Sequence, residues 1–138
     1  MATVLWLAAQ SERMAAERLL ASRREVDDLA QKLAQLQAGR SEYLARLASG
    51  TTMGVGQMRE LRNFVGKLDI AISQLQQQLA HKQNLNDQHR EQWQGQKRRQ
   101  DALGGIADRY RREEARAAEN KVQREIDDRR PRSDGGEP

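Results

Sequence analysis

The chain has 138 residues, 37% of them hydrophobic and 32% charged, with five aromatics, no cysteine and prolines only at 131 and 138. So charged and proline-poor a chain, rich in Ala, Leu, Gln, Glu and Arg, has helical propensity almost throughout and too few apolar side chains for a thick core. This excludes a β-sandwich or a dinucleotide-binding α/β domain, and with no thiol it excludes disulfides and thiolate metal sites. The net charge of +4 comes from 24 basic and 20 acidic residues, a mixed surface with a basic bias.

The first element is a helix over about residues 3–48. Apolar side chains recur in alternating steps of three and four: Leu5, Ala8, Glu12, Ala15, Leu19, Ser22, Val26, Leu29, Leu33, Leu36, Arg40, Tyr43, Leu47. Most are apolar or aromatic, and the run from Val26 to Leu36 is unbroken. That is the seam of a coiled coil, narrower than the stripe of a helix lying on a globule. The apolar stretch Val4–Ala9 is far short of a membrane span and lacks the basic leader and cleavage pattern of a signal peptide, so a cytoplasmic location is expected.

Residues 49–56 hold Gly50, Gly54 and Gly56 among Ser and Thr, and they predict a turn. A phosphate-binding loop would need a preceding strand and a Gly-Lys-Ser/Thr, neither of which is present. A second seam then runs Met58, Leu61, Val65, Leu68, Ile72, Leu75, Leu79 and continues in polar form as Lys82, Asn86, His89, Trp93, Gln96, Gln100, Leu103. The expectation is an all-α fold: a long antiparallel two-helix coiled-coil hairpin with unequal helices, the second over about 57–128. Folding back at the turn makes partner numbers sum to about 105. Ile72 then faces Leu33, Leu79 faces Val26, and Trp93 lies near Glu12. Packing is expected to loosen along the polar stretch. Some 25 residues of the second helix overhang the first, starting near Gly104-Gly105, where a hinge is expected because each glycine costs a helix about 1 kcal/mol. The overhang is dense in charge and can be supported by pairs such as Asp108–Arg112. Residues 129–138 are expected to be a disordered tail.

No active site is legible. His81 and His89 are eight residues apart, whereas helical metal pairs favour three or four. The carboxylates are interleaved with Arg and Lys, and a two-helix hairpin offers no pocket to shift their pKa values. A non-enzymatic protein without cofactor or metal is expected. Two features stand out. Phe64 sits on the flank of the second seam and serves either as a partner anchor or as an edge of the internal interface. Lys97, Arg98 and Arg99, with Arg109, Arg111 and Arg112, form a basic stretch. It is either a solvated face or a site for an acidic protein, a lipid surface or nucleic acid, although no aromatics are interleaved for base stacking.

Several blocks together resemble the flagellar export protein FliJ family. They are the heptads around Glu12–Leu19, the stretch Leu61–Gln74, the Trp93–Leu103 block and the closing Ala118–Asp128 segment. Gly104-Gly105 departs from the family's pattern, as does Leu75 where a Gln is common. The resemblance implies a soluble component of the flagellar type III export apparatus, shaped like the central stalk of a rotary ATPase. Its implied partners are the hexameric export ATPase, the cytoplasmic domain of the export-gate membrane protein, and substrate export chaperones. By matching position, Phe64 and Leu68, with Ile72 as an extension, are the implied gate contacts. The ATPase-facing end is assigned to residues 106–128 with Leu5 and Trp6, its cations being Arg109, Arg112, Arg116, Lys121 and Arg124. No nucleic acid and no membrane insertion are expected. The alternatives are the equivalent stalk of a virulence injectisome, a basic coiled coil binding nucleic acid, and a self-assembling scaffold.

Overall fold

The structure is a computed structural model and describes residues 1–49 and 54–130. Two helices account for it: α1, Ala2–Ala48, and α2, Val55–Arg129. At 1.5 Å per residue they are about 70 and 112 Å long. Residues 50–53 of the expected turn and 131–138 of the expected tail lie outside the described residues.

The helix ends follow from local chemistry. At the end of α1, Ser49 Oγ donates to the Arg46 carbonyl at 2.8 Å, using one of the orphan acceptors of the last turn. Gly54 precedes α2 in an extended conformation, and its carbonyl accepts the Met58 N–H at 3.1 Å. Glycine is tolerated at such a position. Between these ends no proline interrupts either helix.

The helices pack against each other as an antiparallel hairpin. Every seam position from Leu5 to Leu47 on α1, and from Leu61 to Leu103 on α2, is buried or half-buried. Contacts across the seam set the register: Arg40 with Asp69, Tyr43 with Phe64, Glu25 with Lys82, and Glu12 with Trp93. Trp93 meets Glu12 as the spacing suggests, with numbers that sum to 105, and the sum rises to 107 and then 109 toward the turn. Ile72 shares a groove with Gln37 and Arg40 on this rising part of the register.

The polar half of the seam does not loosen. Asn86 is only 7% exposed, and Ala8, Ala15 and Ser22 are buried as well. These three small side chains recur every seven residues on α1. Beside them, Ala15 lines a groove with Gln92 and Gln96, and Ser22 one with Leu85 and His89. Close packing leaves polar atoms stranded. Asn86 Nδ2, His89 Nδ1 and Gln96 Oε1 are buried without a hydrogen-bond partner, an unfavourable arrangement by roughly 1–3 kcal/mol per group when no water reaches it.

α2 runs on through Gly104 and Gly105 as regular helix. The paired region also reaches past them. Ala107 is buried, and every residue from Asp108 to Arg130 is exposed. The overhang therefore starts a turn later than the glycines suggest, because the register carries the first residues of α1 up to Ala107.

Candidate functional site

Two ends of the rod hold the candidate residues. Near the turn, Phe64 stacks edge-on against Tyr43, with ring centroids 4.8 Å apart and planes at 64°. Arg46 lies over the other partner, 5.6 Å from the Tyr43 centroid. Phe64 is still 42% exposed, so its ring both closes the internal interface and presents a free edge. Leu68 is half-buried at a seam position, beside the ion pair of Arg40 with Asp69. Ile72 is 8% exposed and sits inside the seam. The three residues thus form a gradient from surface to core along one helix.

Sequence reasoning passed over Ile70. It is 62% exposed although it lies two residues from buried Ile72. Two residues turn an α-helix by about 200°, so one isoleucine points into the seam and the other away from it. The signal was available: an isoleucine at the heptad position farthest from the seam has no internal partner to satisfy.

At the open end, Leu5 is half-buried and lines an apolar recess with Met1, Ala2, Ala107, Tyr110, Arg111 and Glu114. Trp6, its neighbour, points outward at 61% exposure. Arg109, Arg112, Arg116, Lys121 and Arg124 are all exposed. Spacings of three and four put Arg109, Arg112 and Arg116 on one face, whereas Lys121 and Arg124 drift round the helix. The structure therefore brings Leu5 to the overhang but does not gather the five cations into one patch. Arg111, not among them, pairs with Asp108 at 2.8 Å. Tyr110, 58% exposed beside the recess, also escaped sequence reasoning.

Lys97 lies 5.8 Å from the centroid of the Trp93 ring, so one cation of the basic stretch is held against the seam. Among the described residues, no three His, Asp or Glu side chains gather as metal ligands. No helix there is long and apolar enough to cross a membrane.

Neither the curated proteins nor the solved structures compared with this chain yield a match. The family described as Flagellar FliJ protein matches residues 1–132, nearly the whole length. An unequal two-helix hairpin, a closed seam and that match lead to one conclusion: the chain belongs to the FliJ family, and with it to the components of flagellar protein export.

Proposed function

We propose that the protein is the stalk of the flagellar type III export ATPase. It inserts the open end of its hairpin into the hexamer, promotes assembly and activity of the ring, and links it to the export gate and to substrate chaperones. It works in the cytoplasm, held peripherally at the inner-membrane export apparatus.

One observation carries this reading: α2 continues as an exposed helix from Asp108 to Arg129, its base sharing a recess with the apolar first turn of α1 and its remainder facing no other helix among the described residues. A single helix draws most of its stability from tertiary packing, and beyond Glu114 this one meets no other helix among the described residues. A ring pore of complementary chemistry supplies such packing. Leu5 and Trp6, with Arg109, Arg112, Arg116, Lys121 and Arg124, are the residues we assign to that contact. At the opposite end, Phe64 and Leu68 are the assigned gate contacts, and Ile72 supports them from the seam.

The experiment is capture of the export ATPase by the full chain and by a chain ending at Ala107. The truncated form keeps the seam from Ala8 to Leu103 and gives up only the recess that Tyr110, Arg111 and Glu114 form with Leu5. Circular dichroism checks that it stays folded; capture is expected to be lost. Undiminished capture would contradict the assigned orientation.

A further inference from the structure

One side of the open half of the hairpin differs from the rest of its surface. On α1, Leu7, Ser11, Met14, Arg18 and Ala21 follow one another at helical spacing just outside the seam. On α2, positions 85, 88, 92, 95, 99 and 102 do the same. The two rows border the same grooves: Met14 and Arg18 meet Gln92, and Arg18 and Ala21 meet Leu85. The face spans about 21 Å from Leu7 to Ala21. Its closed end is marked by the ion pair of Glu25 with Lys82 at 2.9 Å.

Three properties set it apart. First, it carries exposed apolar side chains: Leu7 and Met14, one heptad apart, are 53% and 52% exposed, and Trp6 and Leu20 are exposed likewise on the other flank of α1. Gly95 adds depth, since a methyl group there would meet open space. Second, no carboxylate lies in either row short of the closed end, where Glu25 borders the last groove and is taken up by Lys82, although the chain has 20 acidic residues. The nearest seam carboxylate, Glu12, is engaged by the Trp93 indole. Third, the only formal charges in the two rows are Arg18 and Arg99, both exposed and in no ion pair among the described residues. Gln92 lies across from Arg18, so one heptad on, Arg99 lies across from Ser11. The two guanidinium groups therefore stand about 10 Å apart along the rod.

We propose that this face docks a third helix from an acidic protein partner, completing a local three-helix bundle. Its apolar stripe covers Leu7, Met14 and Leu85. Two carboxylates seven residues apart on that helix meet Arg18 and Arg99. Charge decides the occupant. A second copy of this chain packed through the same face would set Arg18 and Arg99 against each other with no carboxylate between them. Nucleic acid and anionic lipid draw their affinity from many cations, and this face has two. An amphipathic helix laid into a groove needs only spaced anchors and a matching charge pair. The proposal rests on the fold alone and not on the stalk reading.

The test uses the full chain and a helical peptide of about 18 residues with a leucine stripe and two Glu seven apart, measured by fluorescence anisotropy. A control peptide carries Lys in place of both Glu. The Glu peptide is expected to bind the chain, and Arg18→Glu with Arg99→Glu to weaken it about tenfold while restoring the Lys peptide. Both arginines are exposed, so helicity is unchanged, which circular dichroism checks. Independently, Leu7→Ala with Met14→Ala is expected to weaken the Glu peptide with both charges intact. Absence of binding, or equal binding of both peptides, overturns the proposal. So does tight binding of a short DNA duplex or of phosphatidylglycerol vesicles that is lost in the same variants. A dimer in sedimentation equilibrium that dissociates on Leu7→Ala with Met14→Ala assigns the face to a second copy instead. Capture of the ATPase by the charge-reversed chain is read separately, so the two ideas stand or fall apart.

Discussion

The indole N–H of Trp93 donates to Glu12 Oε1 at 2.9 Å, joining the two helices across 81 residues of sequence. Both side chains occupy seam positions, where an unpaired carboxylate or indole would be unfavourable. Here each satisfies the other, and together they fix the register of the polar half. Glu12→Ala leaves the indole without its acceptor. We expect a loss of about 1.5–3 kcal/mol in urea unfolding followed by Trp fluorescence, with Glu12→Gln recovering part of it.

Ile70 and Ile72 provide an internal control two residues apart. Ile72→Ala empties a buried seam position and is expected to cost about 2–4 kcal/mol, visible as a lower melting temperature. Ile70→Ala removes an exposed side chain and is expected to stay within about 0.5 kcal/mol. Equal effects would mean that the heptad phase of α2 is misassigned.

Most of the fold was legible in the sequence, since hydrophobic spacing reports helix faces directly. Each seam position from Leu5 to Leu47 and from Leu61 to Leu103 is at least half-buried. The register was legible only to within a turn. It depends on how far the side chains of the two helices interlock, and periodicity along one helix carries no information about that. The closeness of the polar half was hidden for a related reason. Asn86 reads as a weak seam residue, and its burial shows only once the two helices are paired. Of the candidate sites, Phe64 was placed on the flank of the seam, but its contact with Tyr43 depends on the register. Ile70 and Tyr110 were missed because exposure of an apolar residue shows only in three dimensions.

Asn86 is one of three seam residues with a buried polar atom left unpaired, in its case Nδ2, and the most buried of the three. A polar residue in a coiled-coil core fixes register at some loss of stability. Asn86→Leu is therefore expected to raise the melting temperature, by an amount corresponding to about 1–3 kcal/mol. It is also expected to broaden distances between spin labels placed across the seam, as alternative registers become accessible. A higher melting temperature with an unchanged distance distribution would remove the register role.

Gly104 and Gly105 lie in continuous helix, and a Cβ at either meets nothing within 4 Å. Replacing both with Ala is expected to stabilise the chain by about 0.4–1 kcal/mol per site, with a gain in helicity by circular dichroism. If the pair instead works as a hinge, the double variant would lose partner capture while gaining stability.

Phe64→Ala separates the two roles of that ring. Its edge contact with Tyr43 is worth about 0.5–1.5 kcal/mol, which a double-mutant cycle with Tyr43→Ala measures. Binding to the cytoplasmic domain of the export gate is expected to fall by more than this coupling accounts for. A loss of gate binding no larger than the loss of stability would make Phe64 a structural residue only.

Amide hydrogen exchange of the full chain, free and with the export ATPase, tests the central claim most directly. Free, residues 108–129 are expected to exchange quickly while the seam is protected, because only the seam is packed. With the ATPase present, the account predicts strong new protection over 108–129 and the first turn of α1, and none around Phe64. Protection confined to the Phe64 end, or an overhang unchanged by the ATPase, would contradict it.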